Sequence, residues 1–237
     1  MSTDLQMLFD EINSFDYYPA NVDPICGNRT GNIFFPGGTG LIKPGDSSIS
    51  NKNIMIVSDQ FNTTLDFNKF HGLKKQRVKI TPAYLNLLEF MIKANIDAEK
   101  AFFTNTLLGI EIKTTGKKSS TYINRYFVDY CKHVFRMELE IQKPKLVIVF
   151  GLKAAKFLST FHPKLEAWST IKSFKEVDEK KLSIMKNIPL VSGSTSTIAL
   201  LVHPAVRQAN IAGRKFGKFS GNKAEIEMML SLKTLEM

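Results

Sequence analysis

The chain has 237 residues, of which 43% are hydrophobic and 23% are charged, a composition that excludes a fibre, a coiled coil and a disordered segment. Lysine and arginine number 32 against 22 aspartates and glutamates, so the net charge of +10 favours an acidic partner such as nucleic acid over a charge that only serves solubility. Two cysteines exclude a disulfide framework and cannot alone fill a four-ligand zinc or iron–sulfur site. Because no apolar run approaches the roughly 20 residues of a membrane span, we expect no membrane partner and a cytoplasmic or nucleoid-associated protein.

Hydrophobic periodicity and turn residues predict alternating helices and strands along the chain. Glycines and prolines between Asn28 and Asp46 predict an irregular loop ahead of the first buried strand, and residues 160–192 give a mixed pattern. In chain order, the predicted elements are a helix over 4–15, a strand over 53–57, a helix over 82–94, a strand over 101–103, a helix over 121–142, a strand over 145–150, a helix over 151–158, a strand over 197–202 and a helix over 222–235.

Short apolar strands separated by helices are typical of a parallel sheet that helices cover. We therefore predict a single α/β domain over residues 1–237, a three-layer α/β/α sandwich around a short, mainly parallel central sheet. In such folds ligands bind beyond the carboxyl ends of the strands. Polar residues stand at three predicted strand ends, namely Ser58-Asp59-Gln60, Thr104-Asn105 and His203. The sequence contains no P-loop and no Gly-x-Ser-x-Gly motif, so neither a P-loop nucleotide site nor a nucleophile elbow is predicted.

Several segments resemble motifs of the uracil-DNA glycosylase superfamily. Residues 104–108 (Thr-Asn-Thr-Leu-Leu) are similar to the asparagine-bearing strand end of these enzymes, and residues 138–158 are similar to their acidic helix, Lys-Pro, strand and Gly-x-x-Ala segment. His203-Pro204-Ala205 stands where the family has His-Pro-Ser. With the glycines at 38–40, the resemblance spans about residues 26–215 and implies a uracil-DNA glycosylase-like fold.

The first family motif is altered in this chain. Family members have Gly-Glu-x-Pro-Gly or Gly-Gln-Asp-Pro at the end of the first strand, whereas residues 58–62 are Ser-Asp-Gln-Phe-Asn, which keep an acid but lose the glycines and the proline. Residues 67–72 are similar to the family's Gly-x-Pro-Phe-x-Gly and place Phe70 on its base-stacking aromatic. Some members carry a four-cysteine iron–sulfur cluster, but only Cys26 and Cys131 match its ligands, so we predict no cluster, no metal and no organic cofactor.

The resemblance also implies a role for each site residue. Breaking an N-glycosidic bond builds positive charge on the sugar and negative charge on the departing base, so the reaction needs a carboxylate and a hydrogen-bond donor. Asp59 would be that carboxylate or would orient a water, and His203 would donate to the base. Asn105 would read the imide edge of uracil and Phe70 would stack on the ring. Ser58, Gln60 and Phe61 would complete the substrate pocket.

Basic residues follow two of the predicted site-bearing strand ends. One cluster lies in the loop after Asn105 and the other follows His203, and the residues predicted to bind DNA phosphates are Lys117, Lys118, Arg207, Arg214 and Lys215. Residues 205–207 would lie on the loop that enters the duplex. The structural alternative is that both basic clusters are solvated loops.

The predicted function is hydrolysis of the N-glycosidic bond of uracil, or of a related damaged base, flipped out of single- or double-stranded DNA by a monomer. The altered first motif favours an alternative, a catalytically silent nucleic-acid-binding protein on the same fold. A hydrolase of small nucleosides would fit the pocket but would leave the basic loops unexplained. Asp59, Asn105 and His203 each have a further interpretation as turn residues, and Phe70 as a core residue.

Overall fold

The structure is a computed structural model that describes residues 3–25, 53–61, 82–112 and 124–232. The helices and strands of these residues alternate along the chain. They are α1 (Thr3–Ser14), β1 (Val22–Pro24), β2 (Ile54–Phe61), α2 (Pro82–Lys93), β3 (Ala101–Glu111), α3 (Arg125–Gln142), β4 (Leu146–Phe150), α4 (Leu152–Leu158), α5 (Phe174–Glu179), β5 (Ile184–Val191), β6 (Ser194–Leu201), α6 (Arg207–Asn210), β7 (Lys215–Phe216), β8 (Phe219–Ser220) and α7 (Gly221–Leu230).

Six strands form the central sheet in the order β1-β3-β2-β4-β6-β5. The four inner strands pair in parallel, and the two outer strands, β1 and β5, pair antiparallel to their neighbours. All five residues of β4 are buried, as expected for an inner parallel strand with helices on both faces. The predicted α/β class with a mainly parallel central sheet is therefore confirmed.

Alternate residues of the strands face two separate hydrophobic cores. Ile54 and Ile56 of β2 pack in a cluster with α2 and α7, whereas Met55 and Val57 pack in a second cluster with α1, α3 and α4. Because successive side chains of a strand point to opposite faces, this division places a layer of helices on each side of the sheet. The described residues thus form three layers, helix, sheet and helix.

Two strands run further than the sequence predicts. β3 was expected to end at Phe103 but continues to Glu111, and β2 continues from Val57 to Phe61. The cause is additional pairing: the last residues of β3 pair antiparallel with β1, and β2 stays beside β3 up to its end. Asn105 therefore lies inside a strand rather than at its end.

Other differences also have local causes. The helix expected over 121–142 begins at Arg125, because the side chain of Asn124 caps it by accepting a hydrogen bond from Phe127 N at 2.9 Å. The mixed region 160–192 contains α5 and β5, which the sequence did not predict as elements. β5 is an edge strand with irregular register against β6, so its apolar residues do not alternate regularly.

Glu138 of α3 is an acidic side chain buried against β3. Its Oε1 accepts a hydrogen bond from Thr104 Oγ1 at 2.9 Å, and among the described residues its Oε2 has no hydrogen-bond partner. Burial raises the pKa of this carboxyl to about 8, with the Thr104 hydrogen bond opposing the shift. The folded protein therefore holds a proton on Glu138 at neutral pH, and the unfolded chain does not.

This proton gives a predicted pH dependence of stability. Between the ordinary pKa of 4.5 and the folded value of about 8, the free energy of unfolding should fall as the pH rises, by about 1 kcal/mol per pH unit, because only the folded state retains the proton. Glu138→Gln keeps an acceptor for Thr104 and should flatten this dependence in urea unfolding. Glu140→Gln, an exposed position on the same helix, is the control, and equal slopes in both variants would contradict the assignment.

Candidate active site

The strand order reverses between β2 and β4, and the polar strand ends meet beside that point. β2 pairs with β4 only as far as Val57 and Val149, after which β4 ends and the chain turns into α4, while β2 continues beside β3. An opening between strands at such a switch point is where parallel α/β sheets bind ligands. Ser58 and Asp59 of β2 and His203 after β6 all lie next to it.

Two hydrogen bonds fix the imidazole of His203. Its Nε2 lies 2.9 Å from Ser58 Oγ, and its Nδ1 accepts a hydrogen bond from Ala205 N at 3.1 Å. Because Nδ1 is an acceptor, this network assigns the ring proton to Nε2, which then donates to Ser58 Oγ. Ser58 is consequently a hydrogen-bond acceptor in this pair, and His203 does not activate its hydroxyl as a nucleophile.

The surroundings of His203 keep the ring neutral. The pKa of His203 is lowered to about 4, mainly by burial and also by the positive charge of Lys153. Gly151 lies beside His203: a Cβ at this position would lie 3.4 Å from His203 Cβ and 3.9 Å from Cδ2 of the ring, an ordinary van der Waals contact. The backbone of Gly151 has a φ of +94°, which a residue with a side chain rarely adopts. Glycine is therefore favoured here by the backbone conformation of the turn from β4 into α4.

Asp59 approaches the same edge from the other side of the sheet. Its side chain is 17% exposed, and its Oδ2 lies 3.5 Å from Lys153 Nζ. Burial raises the pKa of Asp59 to about 6, and the charge of Lys153 opposes that shift. Strand alternation directs Asp59 towards α4, whereas the neighbouring Ser58 faces the α2 side. Thr106 Oγ1 donates to the backbone oxygen of Asp59 at 2.6 Å and holds this part of β2 in place.

Asn105 lies beside Ser58 in the sheet. The two residues are register partners in the parallel β2–β3 ladder, so their side chains share one face. Asn105 is buried, with 2% of its surface exposed. Ser58, Asn105 and His203 are thus on the α2 side of the strand ends, and Asp59 with Lys153 lies on the α4 side.

The remaining predicted substrate residues are described only in part. Gln60 lies on β2, and among the described residues its buried Oε1 has no hydrogen-bond partner. Phe61 is the last residue of β2. Phe70, Lys117 and Lys118 lie outside the described residues.

Two predicted DNA-binding arginines are instead buried in an ion network. Arg214 is fully buried, with Nη1 at 2.9 Å from Asp178 Oδ1 and Nε at 3.0 Å from Glu225 Oε1. Arg207 places Nη1 at 2.6 Å from Glu225 Oε2, and its side chain is 10% exposed. Both guanidinium groups are paired inside the protein, contrary to the expectation that they contact phosphate. Lys215, by contrast, is exposed.

Glu225 is a site-supporting residue that the sequence analysis missed. Its Oε1 also accepts a hydrogen bond from Val202 N at 2.8 Å, so its carboxylate binds the residue before His203 and, through Arg207, the segment after it. The signal was present in the pattern of α7, because Glu225 shares its buried face with Met228 and Met229. An acid at helical spacing with core residues is a candidate for a buried ion pair.

No protein-family model matches this chain, and no curated protein matches it either. Among residues 3–25, 53–61, 82–112 and 124–232, no group of three or more His, Cys, Asp or Glu side chains is arranged to hold a metal ion. The helices within these ranges are too short or too polar to cross a membrane.

We expect Glu225→Ala to destabilise the fold by about 3–5 kcal/mol, because it leaves two buried guanidinium groups without their shared carboxylate. Urea unfolding measures the loss. Glu227→Ala, a neighbouring acid on the same helix, should change the free energy of unfolding by less than about 0.5 kcal/mol. Similar losses in the two variants would show that the ion network does not anchor the His203 segment.

Proposed function

We propose that this chain is a DNA glycosylase that hydrolyses the N-glycosidic bond of uracil, or of a related damaged base, flipped out of DNA. The observation that carries the proposal is the buried, neutral His203, whose Nε2 lies 2.9 Å from Ser58 Oγ beside the switch point of the sheet. A fixed N–H donor in a buried site is suited to stabilising the oxygen of a departing anionic base. A base carbonyl would replace Ser58 Oγ as its acceptor.

In the proposed reaction, His203 stabilises the negative charge on the base and Asp59 stabilises the positive charge on the sugar, from opposite sides of the site. As the bond from C1′ to the base breaks, its electron pair leaves with the base, whose oxygen accepts from His203 Nε2–H. The ionised Asp59 stabilises the positive sugar and takes a proton from the water that adds to C1′. The departing base takes a proton from solvent, and Asp59 later releases to solvent the proton that it took from the water. The amide of Asn105 pairs with the imide edge of the base and selects for it.

The proposed DNA-binding surface lies around the β7–β8 hairpin and the turn after His203. Lys215, Lys218 and Lys223 are exposed, and the ammonium groups of Lys218 and Lys223 lie 5.6 and 5.0 Å from the ring centre of Phe219. These three lysines replace the buried arginines as candidates for phosphate contacts. Val206, in the turn after His203, is 50% exposed and is an apolar side chain suited to the space that a flipped base leaves.

A second candidate function is base recognition without cleavage. The ion pair between Lys153 and Asp59 favours it, because an ammonium group beside the carboxylate competes with the positive sugar for the same charge. In that case the protein would bind DNA in a salt-sensitive way and release no base.

Base release from a uracil-containing oligonucleotide tests the proposed function. His203→Ala should lower the rate about 100- to 1,000-fold, as for loss of a donor to a developing oxyanion, and Asn105→Ala should also lower it strongly. His162→Ala is the matched control, because His162 also precedes a proline and its Nδ1 accepts from Lys164 N in the same way, at 3.1 Å. Salt-sensitive binding without base release, over a panel of modified bases, would instead support the second candidate.

The pH profile provides an independent test. Since Asp59 must be ionised and its pKa is about 6, kcat/KM should rise with pH through that value and level off above it. His203 is neutral above about pH 4 and should add no further step in this range. Removing the ammonium group in Lys153→Ala raises the pKa of Asp59, so the rise should move to higher pH. A profile that does not move would contradict the assignment of this step to Asp59.

A further inference from the structure

Within the described part of the chain, the charge of Lys153 acts on both Asp59 and His203, which lie on opposite sides of the candidate site. It stands in the first turn of α4, directly after the Gly151 turn, and its side chain is 57% exposed. Its Nζ lies 3.5 Å from Asp59 Oδ2, longer than the 2.7–2.9 Å of a strong charge-assisted hydrogen bond. Its positive charge also reaches His203 across the strand ends. A primary amine therefore stands at the edge of the site, beside the acid and more than half exposed.

The position of Lys153 matters because removal of a base leaves an abasic sugar in the site. In the proposed function, Asp59 acts on C1′ of the sugar, and an amine 3.5 Å from its carboxylate is within reach of the same carbon. After the base leaves, C1′ of the abasic sugar is in equilibrium with an open-chain aldehyde. Lysine amines form imines with such carbonyl groups.

We propose that Lys153 gives this protein a second activity, cleavage of the DNA strand at abasic sites through an imine between its Nζ and C1′. The proposal rests on the proposed function for the position of the sugar, and it adds a substrate class, the abasic site, and a covalent step. More than half of the Lys153 side chain is exposed, so the sugar of an extruded nucleotide can approach its amine without unfolding of the site.

The chemistry balances without a metal, an oxidant or a reductant. The ammonium group of Lys153 gives a proton to Asp59, the free amine bonds to C1′, and the carbinolamine loses water to give a protonated imine. Asp59, ionised again after giving its proton to the departing water, takes a proton from C2′. This drives β-elimination: the C3′–O bond breaks and its electron pair leaves with the phosphate. Water hydrolyses the imine, which returns Lys153 and leaves an unsaturated aldehyde on one strand end and a phosphate on the other.

The alternative is a purely electrostatic role, in which Lys153 only balances the charge of Asp59. The two roles make different demands on the side chain, because a guanidinium keeps the positive charge but does not form an imine with an aldehyde. Lys153→Arg therefore separates them. Lys156, exposed on the same short helix, is the matched control for a nonspecific reaction of surface lysines.

The test uses the full chain, an oligonucleotide with a preformed abasic site, and sodium borohydride, which reduces an imine to a stable covalent bond. We expect a protein–DNA adduct that peptide mass spectrometry maps to Lys153, together with strand cleavage when borohydride is omitted. Lys153→Arg should reduce adduct and cleavage to background, and Lys156→Ala should retain both. A tetrahydrofuran analogue, which has no aldehyde, should give no adduct with any variant.

Failure of this proposal is distinguishable from failure of the proposed glycosylase, because the abasic substrate needs no prior base removal. Uracil release without a trapped adduct would overturn the lyase and leave the glycosylase standing. A trapped adduct at Lys153 without release of uracil or of any base in the modified panel would support the lyase and overturn the glycosylase. An adduct that maps to another residue, or that survives Lys153→Arg, would overturn the role of Lys153.

Discussion

The buried carboxylate of Glu225 is the interaction on which the candidate site depends. Burying one carboxylate and two guanidinium groups costs several kcal/mol per charge, and the cost is met only when every charge has close partners. Glu225 meets this condition by binding Arg207, Arg214 and the backbone N–H of Val202 together. Since Val202 and Arg207 flank the His203 turn, the energy that holds the ion network together also fixes the direction of the imidazole.

Burial then acts in opposite directions on the two groups of the proposed chemistry. It disfavours the charged form of each, which raises the pKa of Asp59 and lowers that of His203. An acid raised too far would be protonated and inactive at neutral pH. Lys153 corrects this, because its charge lowers the pKa of Asp59 and lowers that of His203 as well. One exposed ammonium group thus favours the ionised acid and the neutral imidazole together, the pair of protonation states that the proposed hydrolysis requires.

The sequence was sufficient to predict the parallel sheet and part of the candidate site. The elements that it did not predict were missed for physical reasons. Continuous apolar runs identify β4 and the second half of β6, because strands that are buried on both faces are mainly apolar. The end of β3 could not be predicted, since its second half is stabilised by β1, a strand of three residues far away in the chain. The edge strand β5 was missed for a different reason, because its irregular pairing with β6 leaves no periodic signal in the sequence.

Side-chain roles were harder to predict than strands. Both His-Pro sequences form the same local cap, in which the histidine Nδ1 accepts a backbone N–H two residues later. Only the second nitrogen distinguishes them, and its partner Ser58 lies 145 residues away from His203. Likewise, Arg207 and Arg214 have the composition of a phosphate-binding cluster, and their burial follows from Glu225 and Asp178, which the fold brings from other elements.

The absence of glycine and proline from residues 58–61 has a structural consequence that links these observations. Glycine and proline weaken or interrupt a strand. Without them, residues 58–61 stay in β2, with an irregularity in the ladder only between Gln60 and Phe61. Strand geometry then sends Ser58 and Asp59 to opposite faces, so the acid cannot share a face with His203. The acid is consequently placed beside α4 and Lys153, so the chemistry proposed for this edge involves that amine as well as the carboxylate.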